Sequence, residues 1–189
     1  TPGNPAVVLV HLAVPFPPVV VLAGSDIKLR DELPGADLGL LSEAGLPAVA
    51  DPGALLVAAA HERGLAVEPL AGPSSITLAL AASGLQGQSF AFVGYLPTDA
   101  AERAARVRAL EAHGRRERQT QIAIETPYRN AALAEALLAA LQPDTRLSVA
   151  CGLTLPEGWC ATRRVAQWRH EPPRFTSRHL PAVFLWLAG

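Results

Sequence analysis

Residues 40–53 read LLSEAGLPAVADPG, a stretch in which an apolar run passes into small, easily bent residues and then into a helix start. The overlapping run 38–41, LGLL, has the composition of a short buried strand. Asp51 and Pro52 are residue types favoured at the N-cap and first position of a helix, so a helix is predicted to begin there. The residues in between form a strand-to-helix turn that leaves space beside the backbone.

The same alternation of strand and helix signals continues to the end of the chain. Further strands are predicted at 65–70, 90–94, 121–125, 146–153 and 182–189, with 161–168 as an exposed strand or a short helix. Further helices are predicted after the AGPSS turn, from Thr98 or Asp99 to about residue 112, and from Pro127 to about residue 141. Gly64 and Gly84 are placed to end the first two helices in the left-handed conformation. This order predicts an α/β fold with mostly parallel sheets and helices on their faces.

A second turn resembles the opening one in composition. The sequence AGPSS, residues 71–75, follows the predicted strand 65–70, just as SEAGLP follows 38–41. Because parallel sheets bind ligands at the carboxyl ends of their strands, both turns are predicted to face one ligand crevice. Ser74 and Ser75 would offer hydroxyl and amide groups at a helix N-terminus. The alternative is that glycine, proline and serine are there only because tight turns need them.

Composition narrows the classes of protein. The chain has 189 residues, is 50% hydrophobic and has a net charge of −1, which predicts a folded core and no broad electrostatic surface for nucleic acid. No apolar run has the length of a membrane span and the start lacks a signal peptide's basic flank, so the default compartment is the cytoplasm.

Cys151 and Cys160 are expected to be reduced. The chain starts at Thr1 without any methionine, so we expect residues to be missing before about residue 36.

Several well-known site motifs are absent from the sequence. It contains no GxGxxG for a dinucleotide, no GxxxxGK for a nucleoside triphosphate and no GxSxG for a serine hydrolase. Lys28 is the sole lysine, and the five histidines have no metal-ligand spacing. These absences disfavour Rossmann-type dinucleotide binding, P-loop chemistry, hydrolysis and a metal centre.

The run 40–85 resembles the tetrapyrrole methylase superfamily, in the branch of bacterial 16S ribosomal RNA ribose 2′-O-methyltransferases. Its pattern SDAGTPxISDPG followed by PLPGPSAxxxALxxSGL is kept at Ser42, Ala44, Gly45, Pro47, Asp51, Pro52, Gly53, Gly72, Pro73, Ser74, Ser83, Gly84 and Leu85. FAFVGYLP, IETPYR and LTLPEG, which begin at residues 90, 124 and 153, are similar to later motifs of the branch. The chain departs from the pattern at Glu43, Leu46 and Tyr128, where the family keeps aspartate, threonine and histidine.

The resemblance implies an S-adenosylmethionine-dependent methyltransferase, usually a homodimer, with the cofactor in a cleft between two α/β domains. It implies an N-terminal domain at 1–94 and a C-terminal domain at 95–189, with the hinge near 94–97. Carried over residue by residue, it assigns the following cofactor-binding residues: Ala44, Gly45, Leu46, Pro47, Ala50, Ser74 and Ser75 from the first domain, and Glu125, Thr126, Leu153 and Thr154 from the second.

The expected chemistry is an in-line transfer of a methyl group, for which alignment of the reacting atoms and exclusion of water supply most of the catalysis. A ribose hydroxyl acceptor also needs a base, and Glu125 is the first candidate, with Glu43 second. The alternatives are that Glu125 caps or pairs at a strand end and that Glu43 pairs with a surface arginine. The arginines of the helix after Asp99 are expected to form a solvated face, since glutamates are interleaved with them.

The acceptor is left open between a ribose 2′-hydroxyl of ribosomal RNA and a tetrapyrrole-like small molecule. Two other classes of function fit the same turns. One is an α/β enzyme that binds a phosphorylated nucleotide or sugar in the crevice, and the other is a noncatalytic member of the superfamily. A binding measurement with S-adenosylmethionine distinguishes the methyltransferase from these two alternatives.

Overall fold

The computed structural model describes residues 6–11, 20–22, 38–42 and 45–189. The elements in chain order are β1 (Ala6–His11), β2 (Val20–Leu22), β3 (Leu38–Ser42), α1 (Ala54–Glu62), β4 (Ala66–Pro69), α2 (Ser75–Ser83), β5 (Phe90–Tyr95), α3 (Ala100–Glu117), β6 (Thr120–Glu125), a 3-10 turn (Pro127–Arg129), α4 (Asn130–Ala140), β7 (Arg146–Cys151), β8 (Trp159–Arg164), α5 (Val165–His170) and β9 (Ala182–Leu187). Among these elements, no helix combines the length and hydropathy that crossing a membrane requires.

The chain divides into two compact units, Thr1–Ser74 and Ser75–Gly189. Helix α2 and strand β5 therefore lie in the second unit, and β5 is hydrogen-bonded to β6 there. The domain boundary between residues 94 and 95 stays a prediction.

The first unit contains a four-stranded sheet in the order β2-β3-β1-β4, with parallel pairing throughout. Leu9 of β1 pairs with Leu40 of β3 on one side and with Pro69 of β4 on the other. The segments that follow β3 and β4 therefore leave the same edge of the sheet, as the sequence predicts. Leu40 packs against Leu56 and Ala60 of α1, which holds that helix against the sheet.

The second unit contains a five-stranded mixed sheet in the order β5-β6-β9-β7-β8. Only β5 and β6 pair in parallel, and the other three pairings are antiparallel. The prediction of mostly parallel sheets is therefore wrong for this sheet. The reason is that β7 and β8 are joined by the short segment 152–158, whereas a parallel connection needs a crossover of a dozen or more residues.

Strand β9 is the centre of the second sheet and of its core. All six of its residues are buried. Phe184 and Trp186 enter the core cluster that α3, α4 and α5 cover, while Val183 and Leu185 enter the cluster that α2 covers. A strand that is buried on both faces has no polar alternation, which explains the uninterrupted sequence AVFLWL.

Three helix boundaries differ from their predictions. Helix α4 begins at Asn130 rather than at Pro127, because Pro127–Arg129 form a 3-10 turn. Helix α1 begins at Ala54 rather than at Asp51 or Pro52. The chain is still turning at Gly53, where the backbone has φ +133° and a Cβ would stand 2.4 Å from Leu40 Cδ2.

Helix α3 extends to Glu117 rather than to about residue 112. Gly114 therefore lies inside the helix rather than at its end. A Cβ at this position would stand 2.8 Å from the carbonyl oxygen of Gln119, so the close packing here requires glycine. The predicted cap at the other end is confirmed, since Asp99 accepts a hydrogen bond from the Glu102 amide. Gly64 and Gly84 have positive φ, as predicted for helix ends.

Candidate functional site

The loop between β3 and α1 has an unusual backbone. Four of the residues in 45–53 have positive φ: Gly45 at +95°, Ala48 at +65°, Ala50 at +61° and Gly53 at +133°. Alanine rarely adopts this conformation, which costs roughly 1–2 kcal/mol for a residue with a Cβ. Strain of this kind is typical of positions where the backbone itself contacts a ligand.

Two hydrogen bonds close this loop. The Val49 amide donates to the Leu46 carbonyl at 3.1 Å, and the Ala48 amide donates to the Pro52 carbonyl at 3.2 Å. Pro47 is buried and Leu46 half-buried, while Ala50 is exposed. The loop is thus a closed structure whose exposed residues are Val49, Ala50 and Pro52.

The space beside Gly45 decides whether the loop has room for a ligand. Among the described residues, a Cβ built on Gly45 would meet only Asp51 Oδ2, at an ordinary contact distance of 3.5 Å. Asp51, which the sequence predicted to cap α1, instead lies against this glycine. Such a surface lets a ligand approach the backbone closely.

The structure brings one further predicted segment to this edge of the first sheet. Leu40 and Pro69 are level with each other on either side of β1, which places β3 and β4 roughly 10 Å apart. The segment 70–74 follows β4 and ends at Ser74, which is buried, with 7% of its surface exposed. Ser75 is exposed and begins α2, in the second unit. Glu43 and Ala44 lie outside the described residues.

The second sheet brings the other predicted residues together. Glu125 of β6 and Cys151 of β7 both pair with Ala182 of β9, so the ends of β6 and β7 are level and roughly 10 Å apart. The segments that carry Thr126 and Leu153 therefore leave the same edge of this sheet. The assignment of these residues to a cofactor site stays a prediction, and Ser75, which was predicted to belong to the first domain, lies in the second unit.

The turn 152–158 follows β7 and carries two of the predicted residues. Gly152 has φ +58° and Thr154 has φ +73°. The turn is closed by hydrogen bonds from the Leu155 amide to the Gly152 carbonyl at 3.0 Å and from the Gly158 amide to the Leu155 carbonyl at 2.9 Å. Leu153 packs against the core cluster under α2, and Thr154 is exposed.

Glu125 is held by its neighbours on both carboxylate oxygens. Its Oε1 accepts hydrogen bonds from the Thr126 amide at 2.8 Å and from the Thr126 hydroxyl at 3.1 Å. Its Oε2 lies 3.3 Å from Nη2 of Arg129, and only 4% of the Glu125 side chain is exposed. Three of the roughly four acceptor positions of a carboxylate are thereby used, which leaves one for a proton. The role of Glu125 as a base stays a prediction.

Two residues of this edge were not assigned from the sequence. Arg129 is the last residue of IETPYR, and this family-like segment is the signal that marks it in the sequence. Asn130 is fully buried and donates from Nδ2 to the Leu180 carbonyl at 2.9 Å. Its Oδ1 is buried without a partner among the described residues. No sequence signal distinguishes this asparagine from an ordinary helix residue.

The pair formed by Glu125 and Arg129 can be tested by a double-mutant cycle. Glu125→Gln and Arg129→Gln are each expected to lower the free energy of unfolding by about 2 kcal/mol, because a hydrogen bond to a charged group is lost. The double variant should lose about 1 kcal/mol less than the sum of the two. Urea denaturation measures all four proteins, and strictly additive losses would show that the two side chains do not interact.

The thiol of Cys151, the last residue of β7, is unreactive. Burial raises the pKa of the Cys151 thiol, so this thiol stays protonated at neutral pH and is a poor nucleophile. Cys151 and Cys160 both carry free thiols. Over the part of the chain that the structure describes, no group of three or more His, Cys, Asp or Glu side chains is arranged to hold a metal ion.

Known proteins similar to this chain are methyltransferases. The chain is 38% identical over 120 residues to "Ribosomal RNA small subunit methyltransferase I" of Mesorhizobium japonicum, which covers 64% of this chain and 40% of that protein. The protein of the same name from Xylella fastidiosa is 36% identical over 148 residues, covering 75% of this chain and 52% of that protein. The chain therefore aligns with about half or less of the length of these relatives.

The fold agrees with this similarity. The crystal structure of the methyltransferase CobJ superposes with a TM-score of 0.53 at 19% identity, covering 82% of this chain and 66% of that one. The model of the family "Tetrapyrrole (Corrin/Porphyrin) Methylases" matches residues 28–159, a segment that contains both edges described above. The chain belongs to the tetrapyrrole (corrin/porphyrin) methylases.

Proposed function

We propose that this chain is the catalytic part of an S-adenosylmethionine-dependent methyltransferase whose acceptor is a ribose 2′-hydroxyl of small-subunit ribosomal RNA. One observation carries the proposal: the family match at 28–159 encloses every candidate site residue, from Glu43 to Thr154. The choice of acceptor follows the sequence similarity. Relatives that are 36–38% identical are named for ribosomal RNA, and the identity to CobJ is 19%. An RNA acceptor is therefore favoured over a tetrapyrrole.

The loop 45–53 has the properties that a cofactor loop needs. When bound, S-adenosylmethionine supplies an electrophilic methyl group on a sulfonium centre. Gly45 provides a backbone surface without a side chain, and the hydrogen bonds of Ala48 and Val49 hold the loop in shape before a ligand arrives. A preformed surface keeps the reacting atoms aligned at no further cost in entropy. The resemblance implies that Ser74, Ser75, Thr126, Leu153 and Thr154 also contact the cofactor.

A ribose hydroxyl must lose its proton as the methyl group is transferred. Glu125 is the described residue best suited to accept it, since its carboxylate is fixed by Thr126 and Arg129 and retains one acceptor position. Glu43 remains the second candidate. The ion pair with Arg129 holds the carboxylate in one orientation, which a general base requires.

The role of Glu125 as a base can be measured directly. Glu125→Gln keeps an acceptor oxygen for Thr126 but removes the carboxylate, so kcat should fall by about 100-fold or more. The dissociation constant of S-adenosylmethionine should stay within about threefold, which corresponds to less than 0.7 kcal/mol. Arg129→Gln is the matched control, since it disturbs the same ion pair and leaves the carboxylate in place. Equal losses of kcat in the two variants would assign Glu125 to positioning instead.

The proposed function is tested in two steps. Calorimetry with S-adenosylmethionine and S-adenosylhomocysteine should show binding of both, and its absence at millimolar ligand would refute the proposal. Transfer of a labelled methyl group is then measured with small-subunit ribosomal RNA and with a tetrapyrrole as acceptors. A 2′-O-methylated nucleotide in the RNA digest is the expected product. Transfer to the tetrapyrrole alone would show that the proposed acceptor is wrong and that the proposed methyltransferase activity is right.

Two further properties belong to this proposal. The protein is expected to act as a homodimer, as the resemblance implies. Light scattering should therefore give twice the chain mass of 19.8 kDa. An RNA acceptor of this kind also places the enzyme in the cytoplasm, where ribosomal subunits are assembled. A monomer with full activity would overturn the expectation of a dimer.

A further inference from the structure

A groove of about 690 Å³ lies in the second unit, at the end of the second sheet away from Glu125. Three arginines line it: Arg115 and Arg118, from the end of α3, and Arg146, the first residue of β7. The rest of the wall is formed by residues 84–86 and 187–189. The groove therefore combines open space with guanidinium groups from two different elements.

A fourth arginine adds to the positive charge. Arg146 pairs directly with Arg164 across β7 and β8. Like charges directly opposite each other on neighbouring strands destabilise a sheet. We call Arg115, Arg118, Arg146 and Arg164 the arginine cluster. Within the described ranges, Asp144 supplies the one carboxylate within 4 Å of the cluster, at 3.6 Å from Arg115 Nη2, so the net charge is about +3.

The backbone at Arg118 is a second indication. Arg118 is the C-cap of α3 and has φ +50°, a conformation that glycine adopts without strain. Arginine at this helix end has a higher backbone conformational energy than glycine would have. Strained positions that keep a charged side chain are typical of binding sites.

We propose that the arginine cluster binds backbone phosphates of the RNA acceptor. This inference rests on the proposed function. It adds an RNA-binding surface at the end of the second sheet away from Glu125. Guanidinium groups bind phosphate oxygens in pairs and remain charged at every physiological pH. An anion between Arg146 and Arg164 would also relieve the repulsion between these two side chains.

The distance along the sheet indicates an extended ligand. Arg146 and Cys151 are the first and last residues of β7, and a rise of about 3.3 Å per residue separates them by roughly 17 Å. A nucleic acid strand places one phosphate every 3.4 Å or so along its helix, so this distance corresponds to about five nucleotides. A tetrapyrrole or a single nucleotide bound at one end would not contact the other. The cluster therefore favours a polymer as acceptor.

The test compares two pairs of arginines on the intact chain. Arg118→Gln/Arg146→Gln removes two charges from the groove, and Arg106→Gln/Arg108→Gln removes two charges from exposed positions on α3 that do not line it. Binding of a labelled fragment of small-subunit ribosomal RNA is measured at several salt concentrations. The groove variant should bind at least about tenfold more weakly, and its salt dependence should fall by about 1.5 in logarithmic slope. Equal losses in both variants would overturn the proposal.

A single substitution separates RNA binding from fold stability. Arg118→Gly relieves the backbone strain, so the urea midpoint should rise or stay the same while RNA affinity falls. A role limited to the helix end predicts unchanged RNA affinity. Inorganic phosphate serves as a further probe, and full competition at low millimolar concentration would indicate a site for small anions rather than for RNA.

Calorimetry with S-adenosylmethionine distinguishes failure of this inference from failure of the proposed function. Both double variants should bind the cofactor as the unmodified chain does, since none of the four arginines belongs to the candidate cofactor site. If the unmodified chain binds the cofactor and methylates RNA while the groove variant shows unchanged RNA affinity, the inference alone fails. If the unmodified chain binds no cofactor, the proposed function fails.

Discussion

Gly158→Ala should open the turn between β7 and β8 and cause the largest loss of stability of any single methyl group added to the described chain. A Cβ at Gly158 would stand 2.1 Å from the carbonyl oxygen of Gly152, 2.8 Å from the Gly152 carbonyl carbon and 2.9 Å from the Leu155 carbonyl oxygen. All three are backbone atoms, so no side chain can rotate to make room. The hydrogen bonds that close the turn must break, and we expect a loss on the order of 4 kcal/mol in the free energy of unfolding.

Urea denaturation followed by circular dichroism measures this loss. Gly87→Ala is the matched control, because a Cβ at Gly87 meets no atom within 4 Å and should change stability by less than about 0.5 kcal/mol. Binding of S-adenosylmethionine should also weaken in Gly158→Ala, since Leu153 and Thr154 are carried by the same turn. A variant with unchanged stability would mean that the turn adopts another conformation.

Gly45→Trp should lower the affinity for S-adenosylmethionine by at least about 100-fold, equivalent to about 2.7 kcal/mol. The indole would occupy space beside the loop 45–53, where a Cβ meets no described atom other than Asp51 Oδ2, at 3.5 Å. The substitution also forces a side chain onto a residue with φ +95°, which strains the loop. Calorimetry measures the affinity, and circular dichroism confirms that the variant is folded.

Two controls separate occupancy of the space from backbone strain. Gly45→Ala has the same strain with a small side chain and should reduce affinity by less than about tenfold, or 1.4 kcal/mol. Gly64→Trp places the same bulk on another residue of positive φ, at the end of α1, where a Cβ has no atom of the described residues within 4 Å. It should leave affinity unchanged. Unaltered binding by a folded Gly45→Trp would refute the placement of the cofactor at this loop.

Features that depend on neighbouring residues were predictable from the sequence. Gly64 and Gly84 end their helices as predicted, and Asp99 caps α3, because these signals act over one helical turn. The turns after β3 and β4 were placed at one edge of the first sheet for the same reason, since parallel strands joined by a helix must point the same way.

Features that depend on distant residues were not predictable in the same way. The directions of β8 and β9 follow from pairings between strands that are not neighbours in sequence. The continuation of α3 through Gly114 depends on the close approach of Gln119 after the helix has ended. The same difference applies to the functional residues. Glu125 could be proposed from its sequence motif alone, whereas the pairing of Arg146 with Arg164 could not, because it depends on the register of β7 against β8.

The central place of β9 governs when the second unit can fold during synthesis. Strands β6 and β7 are each hydrogen-bonded to β9, the last strand of the unit to leave the ribosome. Until Ala182–Leu187 is made, both have an open edge of unpaired backbone N–H and C=O groups, which is a surface that pairs readily with other chains. The nascent protein therefore carries its greatest risk of aggregation just before its sheet is completed, and shielding of these two strands by a chaperone would matter most at that moment.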